Sequence, residues 1–344
     1  MTITNASSGT RIDEIEERIY RISTPLMKLP GGFSFNQYLI EDDEPLLFHT
    51  GPRKLFPLVR EAIGHIMPVE RLRYISFSHF EADECGSLNE FLAAAPSAVP
   101  LCSRIAALVS VNDVADREAR PLADGETVSL GRREVQWFDT PHMPHAWECG
   151  VLLERTTHTL LCSDLFTEGG ADHPPITEAD ILEPSERFRL QMDYYSHAKD
   201  GPQVLARLAE TRPRTLARMH GSAWRGDGAA MLTALAAALD GRSPSRQPIA
   251  EKPPSTGIAA PVTKFEAAEA RKTAMPARSS GTPQRPAGVR ATTRSCRPVT
   301  CWRASRVSSL SIQPGRTALT WMLSAAQATA SDFVNCTSAP LLAA

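Results

Sequence analysis

Apolar positions in the first 240 residues alternate between a period of two and a period near 3.6, the marks of strands and of one-sided helices. Positions 18–22, 34–40 and 46–48 are dense in β-branched, aromatic and leucine side chains and read as strands, with Pro30-Gly31-Gly32 as a turn between the first two. Positions 52–66 then place Leu55, Leu58, Val59 and Ile63 on one face of a helix. A strand at 74–77, a helix at 88–94, a strand at 98–102 and a helical stretch from Ser103 complete a first half. The second half is richer in strands, at 126–130, 134–138, 150–153 and 159–162. Helices at 183–197 and 202–211, a strand at 215–219 and an Ala/Leu/Met helix at 227–239 follow. Strands with interposed helices in two successive halves predict an α/β fold of two packed sheets under covering helices. Roughly 240 residues is enough for one such core.

The pattern stops near Arg242. Of 37 Lys and Arg, 13 lie beyond that point, but only 4 of 39 Asp and Glu. The first 242 residues carry 24 basic against 35 acidic groups, a net −11; the rest carry 13 against 4, a net +9. The chain therefore divides into a folded body, 1–242, and a tail, 243–344, of Pro, Arg, Ser, Ala and Thr without a sustained apolar period. Pro253-Pro254-Ser255-Thr256-Gly257 opens the tail as a linker, and the whole of it reads as a disordered C-terminal tail. Its Arg-rich monotony also fits a frameshift hypothesis, which re-sequencing the gene would test. A body at −11 is a poor match for nucleic-acid phosphates. No run of about 18 apolar residues is present to span a membrane, and residues 1–9 lack the basic–apolar pattern of an export signal. Cys85, Cys102, Cys149 and Cys162 are widely spaced and fit no zinc or redox CxxC pattern. These features predict a cytoplasmic protein that binds no membrane and whose body binds no nucleic acid.

The candidate chemistry begins at Ser78-His79-Phe80-Glu81-Ala82-Asp83-Glu84-Cys85-Gly86. His79, Glu81 and Asp83 alternate directly after the apolar run Tyr74-Ile75-Ser76-Phe77, where a strand gives way to a loop. Imidazole and carboxylates crowded into one turn call for a cation among them; alone, such a segment more often reads as a solvated acidic loop. Three further candidates decide between the two. His145 follows the strand-like 134–138, Asp164 ends the run 159–163, and His220 follows 215–219. Ligands grouped at strand ends are what a site on one rim of a sheet requires. His142, two residues before Pro144, is a rival to His145.

The pattern His79-x-Glu81-x-Asp83, followed by Gly86-Ser87-Leu88 and then His145, Asp164 and His220, resembles the flavodiiron proteins and their oxygen-binding di-iron relatives. Phe35-Asn36-Gln37-Tyr38-Leu39-Ile40 also matches the opening strand of that domain, and the resemblance covers about residues 15 to 240. It implies a metallo-β-lactamase-like αββα four-layer sandwich with metals at one edge. By the same likeness His79, Glu81 and His145 hold a first iron, Asp83 and His220 a second, and Asp164 bridges them. The chain departs from the family at Glu84, where a histidine usually stands as a further ligand; a carboxylate there is either a substitute oxygen ligand or a solvated group. His49 stands where the family has an acidic residue, and reads as a partner orienting a ligand or as a plain loop histidine. Tyr194 and Tyr195, on the expected helix 183–197, read as packing residues or as hydrogen-bond donors beside the metals. In full-length relatives a flavodoxin domain follows; no flavin-binding pattern is expected in this chain.

Two functional classes follow. In the first, two irons bind dioxygen or nitric oxide, which the protein reduces with electrons from a separate donor protein, or senses. Glu81 supports this class, because hydrolytic relatives carry histidine there and a carboxylate favours iron over zinc. In the second, zinc or manganese activates water to hydrolyse an ester or phosphoester. A degenerate, metal-poor interaction protein is the third option. The family often forms head-to-tail homodimers in which one subunit's metals face the partner's flavin; a homodimer is one expectation for this chain, although without a flavin that reason for it is gone.

Overall fold

The computed structural model describes residues 2–28 and 31–240. Pro30 of the expected turn, the boundary after Arg242, and the expected linker and tail lie outside the described residues.

The first sheet runs in chain order: β1 (Thr2–Asn5), β2 (Thr10–Glu16), β3 (Ile19–Leu26), β4 (Phe33–Ile40), β5 (Leu46–Phe48), β6 (Tyr74–Ser76), β7 (Val99–Ser103) and β8 (Arg120–Leu122). Its first five strands are mutually antiparallel and the last four parallel. Helices α1 (Phe56–Gly64), α2 (Ala82–Cys85), α3 (Leu88–Ala94), α4 (Arg104–Ala106) and α5 (Asn112–Val114) fall in its crossovers, the last two joined by a π-helical turn at Ala107–Val111. The second sheet holds β9 (Thr127–Ser129), β10 (Glu134–Asp139), β11 (Gly150–Glu154), β12 (Thr159–Ser163), β13 (Ile176–Thr177), β14 (Thr215–Arg218) and β15 (Ala223–Arg225), ordered 13-15-14-12-11-10-9. Helices α6 (Leu182–Met192), α7 (Gly201–Glu210) and α8 (Gly228–Asp240) belong to this half.

Side-chain alternation along the strands sorts the core into three apolar layers. Leu39, Leu47 and Ile75 face outward from the first sheet onto Val59 and Ile63 of α1 and Leu88, Phe91 and Leu92 of α3. Their strand neighbours Tyr38, Ile40, Leu46 and Tyr74 face inward, meeting Trp137, Leu152 and Leu161 of the second sheet. Val151, Leu153, Leu160 and Leu216 cover the far side under Val204 and Leu205 of α7 and Leu232 and Leu235 of α8. The order is helix, sheet, sheet, helix, the αββα sandwich that the resemblance implied.

Two departures have clear causes. The hairpin β1–β2 is absent from the sequence reading because Ile12 and Ile15, three positions apart, serve opposite faces and the strand is bulged between Glu14 and Glu16, so neither face shows a period of two. The helix expected over 183–197 ends at Met192, where Asp193 turns left-handed (φ 51°) and caps it. Tyr194 and Tyr195 therefore sit in a loop, not on a helix face.

Candidate metal centre

Strand direction explains why residues 66 to 141 positions apart in sequence can meet His79. β10 and β12 both run antiparallel to β11, and β14 runs parallel to β12, so all three end at the same rim. His145, Asp164 and His220 follow these three ends. The loop after β6 joins them from the first sheet, fastened by the Gly150 N–H to the Ser78 carbonyl (2.9 Å). β4 is antiparallel to β5, and β5 parallel to β6, so the start of β4 reaches the rim as well.

Local irregularities aim the side chains. The β12–β14 register shifts between Leu161 and Ser163, and Ser163 is left-handed (φ 51°), a bulge that redirects the next side chain, Asp164. The turn carrying His145 is closed by Thr140 N–H to Cys149 O and His142 N–H to Ala146 O, both 2.8 Å, with His142 and Ala146 left-handed. This brings His145 into the cluster and leaves His142 exposed. Trp147, beyond it, is also exposed.

Four donors converge: ligand atoms of His79, Glu81, His145 and Asp164 all lie within 4.8 Å of one another. Glu81 Oε2 stands 3.0 Å from His79 Nε2 and 3.1 Å from His145 Nε2. Asp164 Oδ2 is 3.8 and 3.6 Å from the same two nitrogens. The other oxygen, Asp164 Oδ1, turns the opposite way, 3.3 Å from His220 Nε2, which itself lies 3.4 Å from Asp83 Oδ2. Asp164 is thus common to a four-donor group and to a second, sparser group of Asp83 and His220. His220 Nδ1 donates to the Ser34 carbonyl (2.8 Å), which fixes the tautomer and leaves Nε2 free to face both carboxylates. Phe33 packs on the His220 ring at 4.2 Å. Imidazole and carboxylate donors without a thiolate among them fit iron, manganese or zinc, and two such groups sharing one carboxylate fit a pair of ions.

A family model for the ODP family beta lactamase matches residues 33–221, more than half of the chain. The chain belongs to that family. Among curated proteins it is similar to the rubredoxin-oxygen oxidoreductase of Megalodesulfovibrio gigas, 25% identical over 206 residues covering 57% of this chain and 50% of that protein. It is also similar to the anaerobic nitric oxide reductase flavorubredoxin of Aeromonas hydrophila, 23% identical over 211 residues, 57% of this chain and 41% of that one. Among solved structures, the flavodiiron protein from Giardia intestinalis shares the fold at a TM-score of 0.55 and 17% identity, with 66% of this chain and 58% of that chain covered. The ODP-family chain spans half or less of these two curated relatives.

The electrostatics of the ODP-family site favour bound positive charge. Burial works against a charged His220, yet Asp164 and Asp83 outweigh it and raise the imidazole to about 10. Burial also opposes a charged His79, while Cys149 and Glu81 beside it hold its pKa above the ordinary range. Hydrogen bonding from His145 and His79 keeps Glu81 well below the usual carboxylate range. Asp164 is drawn down to about 2 against its own burial, by His220 first and then by His79 and His145. Glu81 and Asp164 therefore stay ionised at neutral pH, as metal ligands must.

Glu84 lies apart from this group. It is fully buried, with Oε2 2.5 Å from Nε2 of the equally buried His49, and Oε1 accepting from Ser163 Oγ at 2.8 Å. Tyr194 donates to the Asp164 carbonyl (3.1 Å) and meets the His145 ring edge-on at 6.0 Å. Burial pushes its hydroxyl well above the usual phenol range, so it remains a donor at neutral pH. Tyr195 packs into the outer core under the Arg189 guanidinium. A groove of about 450 Å³, lined by Phe80, Glu81, Cys85, Leu88 and Val114, opens beside the half-exposed Glu81.

Several supporting residues carried no signal in the sequence. Glu148 is buried and accepts from the Phe80 N–H (3.2 Å), steadying the loop between His79 and Glu81. Ser34, Ser78 and Ser163 act through single hydroxyls or carbonyls. Only their adjacency to the candidate ligands hints at it: Ser78 precedes His79 and Ser163 precedes Asp164.

Proposed function

We propose that this ODP-family chain is a non-haem di-iron protein that binds and reduces dioxygen or nitric oxide, with electrons from a separate donor protein. The observation that carries the reading is the position of Asp164, one oxygen turned to His79, Glu81 and His145 and the other to His220 and Asp83. His79, Glu81, His145 and Asp164 would hold one iron; Asp83, His220 and Asp164 would hold the other. Bound ferrous ions supply the electrons and the open coordination positions for a diatomic gas. The chain's own residues would set the conditions: Asp164 would be shared by the two ions, Glu81 and Asp83 would stabilise the higher charge of the oxidised state, and the groove beside Glu81 would admit a small ligand. The names of two relatives, a rubredoxin-oxygen oxidoreductase and an anaerobic nitric oxide reductase flavorubredoxin, support this substrate class.

The test is metal analysis of protein made in iron-supplemented medium, followed by gas uptake after dithionite reduction. Close to two irons per chain, with consumption of oxygen or nitric oxide, supports the reading. Two irons with binding but no turnover makes the protein a sensor. Zinc in place of iron, with phosphoester hydrolysis and no gas uptake, moves it to the hydrolases, and a metal-free chain moves it to the interaction proteins.

A further inference from the structure

Glu84 neighbours a ligand in sequence, but its carboxylate lies on the wrong edge of His79 to share that residue's metal. His79 Nε2 faces Glu81 and Asp164. Nδ1, on the other side of the ring, faces Ser78 Oγ at 2.7 Å, and Ser78 Oγ lies 2.6 Å from Ser163 Oγ. Ser163 in turn donates to Glu84 Oε1 (2.8 Å), which lies 3.9 Å from His79 Nδ1. The other Glu84 oxygen is matched by His49, and the two backbones are tied by the Thr50 N–H to the Glu84 carbonyl (2.8 Å). Ser78, His79, Ser163, Glu84 and His49 are all buried, so no water competes for these bonds.

The direction of the chain follows from proton counting. Ser163 donates to Glu84 Oε1, so its single O–H is spent there. Ser78 must then donate to Ser163, and its own O–H is spent. His79 Nδ1 is left as the donor to Ser78, and Nε2 keeps the lone pair that a metal needs. We infer that Glu84 is a positioning residue rather than a metal ligand: paired with His49, it polarises a two-serine hydroxyl chain that locks His79 with Nε2 toward the metal group. The inference rests on the proposed role of His79 as a ligand, but not on iron or on oxygen chemistry.

Zinc is therefore the probe, titrated into the full chain against a competing chelator, with the His79 Nδ1–H followed by NMR in the diamagnetic zinc form. Wild type is expected to show a downfield, exchange-protected Nδ1–H. Glu84→Gln, whose amide can donate and so reverse the chain, should keep the wild-type stoichiometry at saturation. Its affinity at the His79 site should fall about 10- to 100-fold, the usual effect of losing such an outer partner, and the Nδ1–H should exchange faster. Ser163→Ala removes one hydroxyl without changing charge and should shift both readouts in the same direction, which covers the case in which Glu84→Gln fails to fold. Loss of a whole zinc equivalent in Glu84→Gln, with the His79 affinity and N–H signal unmoved, makes Glu84 a ligand and overturns the inference. So does a Ser163→Ala protein indistinguishable from wild type. Wild type that takes zinc but never iron defeats the proposed function alone; a wild type that takes neither metal defeats both.

Discussion

Replacing Gly150 by alanine should damage both the sandwich and the metal centre, by an amount the packing allows one to work out. Gly150 opens β11 opposite Asp139 and lies against the indole of Trp137, which is fully buried between the sheets. A Cβ there would overlap Trp137 Cζ2, stand 2.5 Å from Cε2 and 2.9 Å from the Phe138 carbonyl oxygen. Carbon atoms rest comfortably at about 3.5–4.0 Å, so the ring must retreat by roughly an ångström or more. Trp137 Nε1 donates to Asp139 Oδ1 at 2.7 Å, and that retreat breaks the bond. Overpacking costs about 1–3 kcal/mol, and the lost hydrogen bond about 1 kcal/mol more. At about 2–4 °C per kcal/mol for a domain of this size, Tm should drop on the order of 10 °C. The Gly150 N–H also holds the Ser78 carbonyl, so metal affinity should fall with it. Thermal unfolding followed by circular dichroism provides the assay, with Trp137→Phe as the relieving partner because it removes the colliding ring atoms. Non-additivity of about 1 kcal/mol or more in the double variant is expected. A Gly150→Ala protein melting within about 2 °C of wild type, or a strictly additive double variant, would refute the reasoning.

Other expectations follow from single residues. Asp164→Asn should lose metal from both groups, lowering affinity by more than the roughly tenfold seen for a hydrogen-bond partner of a ligand; retention of the wild-type metal content and affinity would disprove a shared carboxylate. His145→Ala should reduce the metal content and His142→Ala leave it unchanged, and the reverse result would exchange their roles. Asp42 is buried, and although burial opposes its charge, backbone N–H groups of Asp43 (2.9 Å) and Arg133 (2.8 Å) hold its pKa below the ordinary value. Its stabilisation is present above the unfolded carboxylate pKa of about 3.9 and is lost as pH falls through the lower folded value. The stability gap between wild type and Asp42→Asn, measured in urea, should therefore close on acidification rather than widen. Burial raises the Cys85, Cys102 and Cys162 thiols to about 12, so a brief iodoacetamide pulse at pH 8 should leave all three unlabelled in the native protein; labelled Cys102 peptide in that pulse would contradict the packing.

How much of this was legible in the sequence depends on whether a residue's role is written in its own neighbourhood. Strands such as β5 and β12 carry their apolar runs openly, and the chemistry-bearing residues at the ends of β6, β12 and β14 follow from them. The hairpin β1–β2 was hidden because Ile12 and Ile15 divide between two cores, and the end of α6 because Asp193 stops it by backbone conformation rather than by a proline or glycine. The surroundings of the ligands were hidden for another reason. Nothing local to His49 reveals that it will meet Glu84, or that Ser163, 85 positions on, will touch Ser78. Such pairings depend on two sheets closing over one another, and only the assembled fold states them.

The candidate metal donors come from two different sheets: His79, Glu81 and Asp83 hang from the end of β6 in one, while His145, Asp164 and His220 extend from the other. An ion bonded to both groups is a cross-link between the layers, closing a loop through the sandwich much as a covalent staple does. Its effect should be felt less in the native state than in the path out of it, since the sheets cannot part until those bonds break. Metal loading would then set the lifetime of the folded protein, and the metal-free chain would be the shorter-lived molecule.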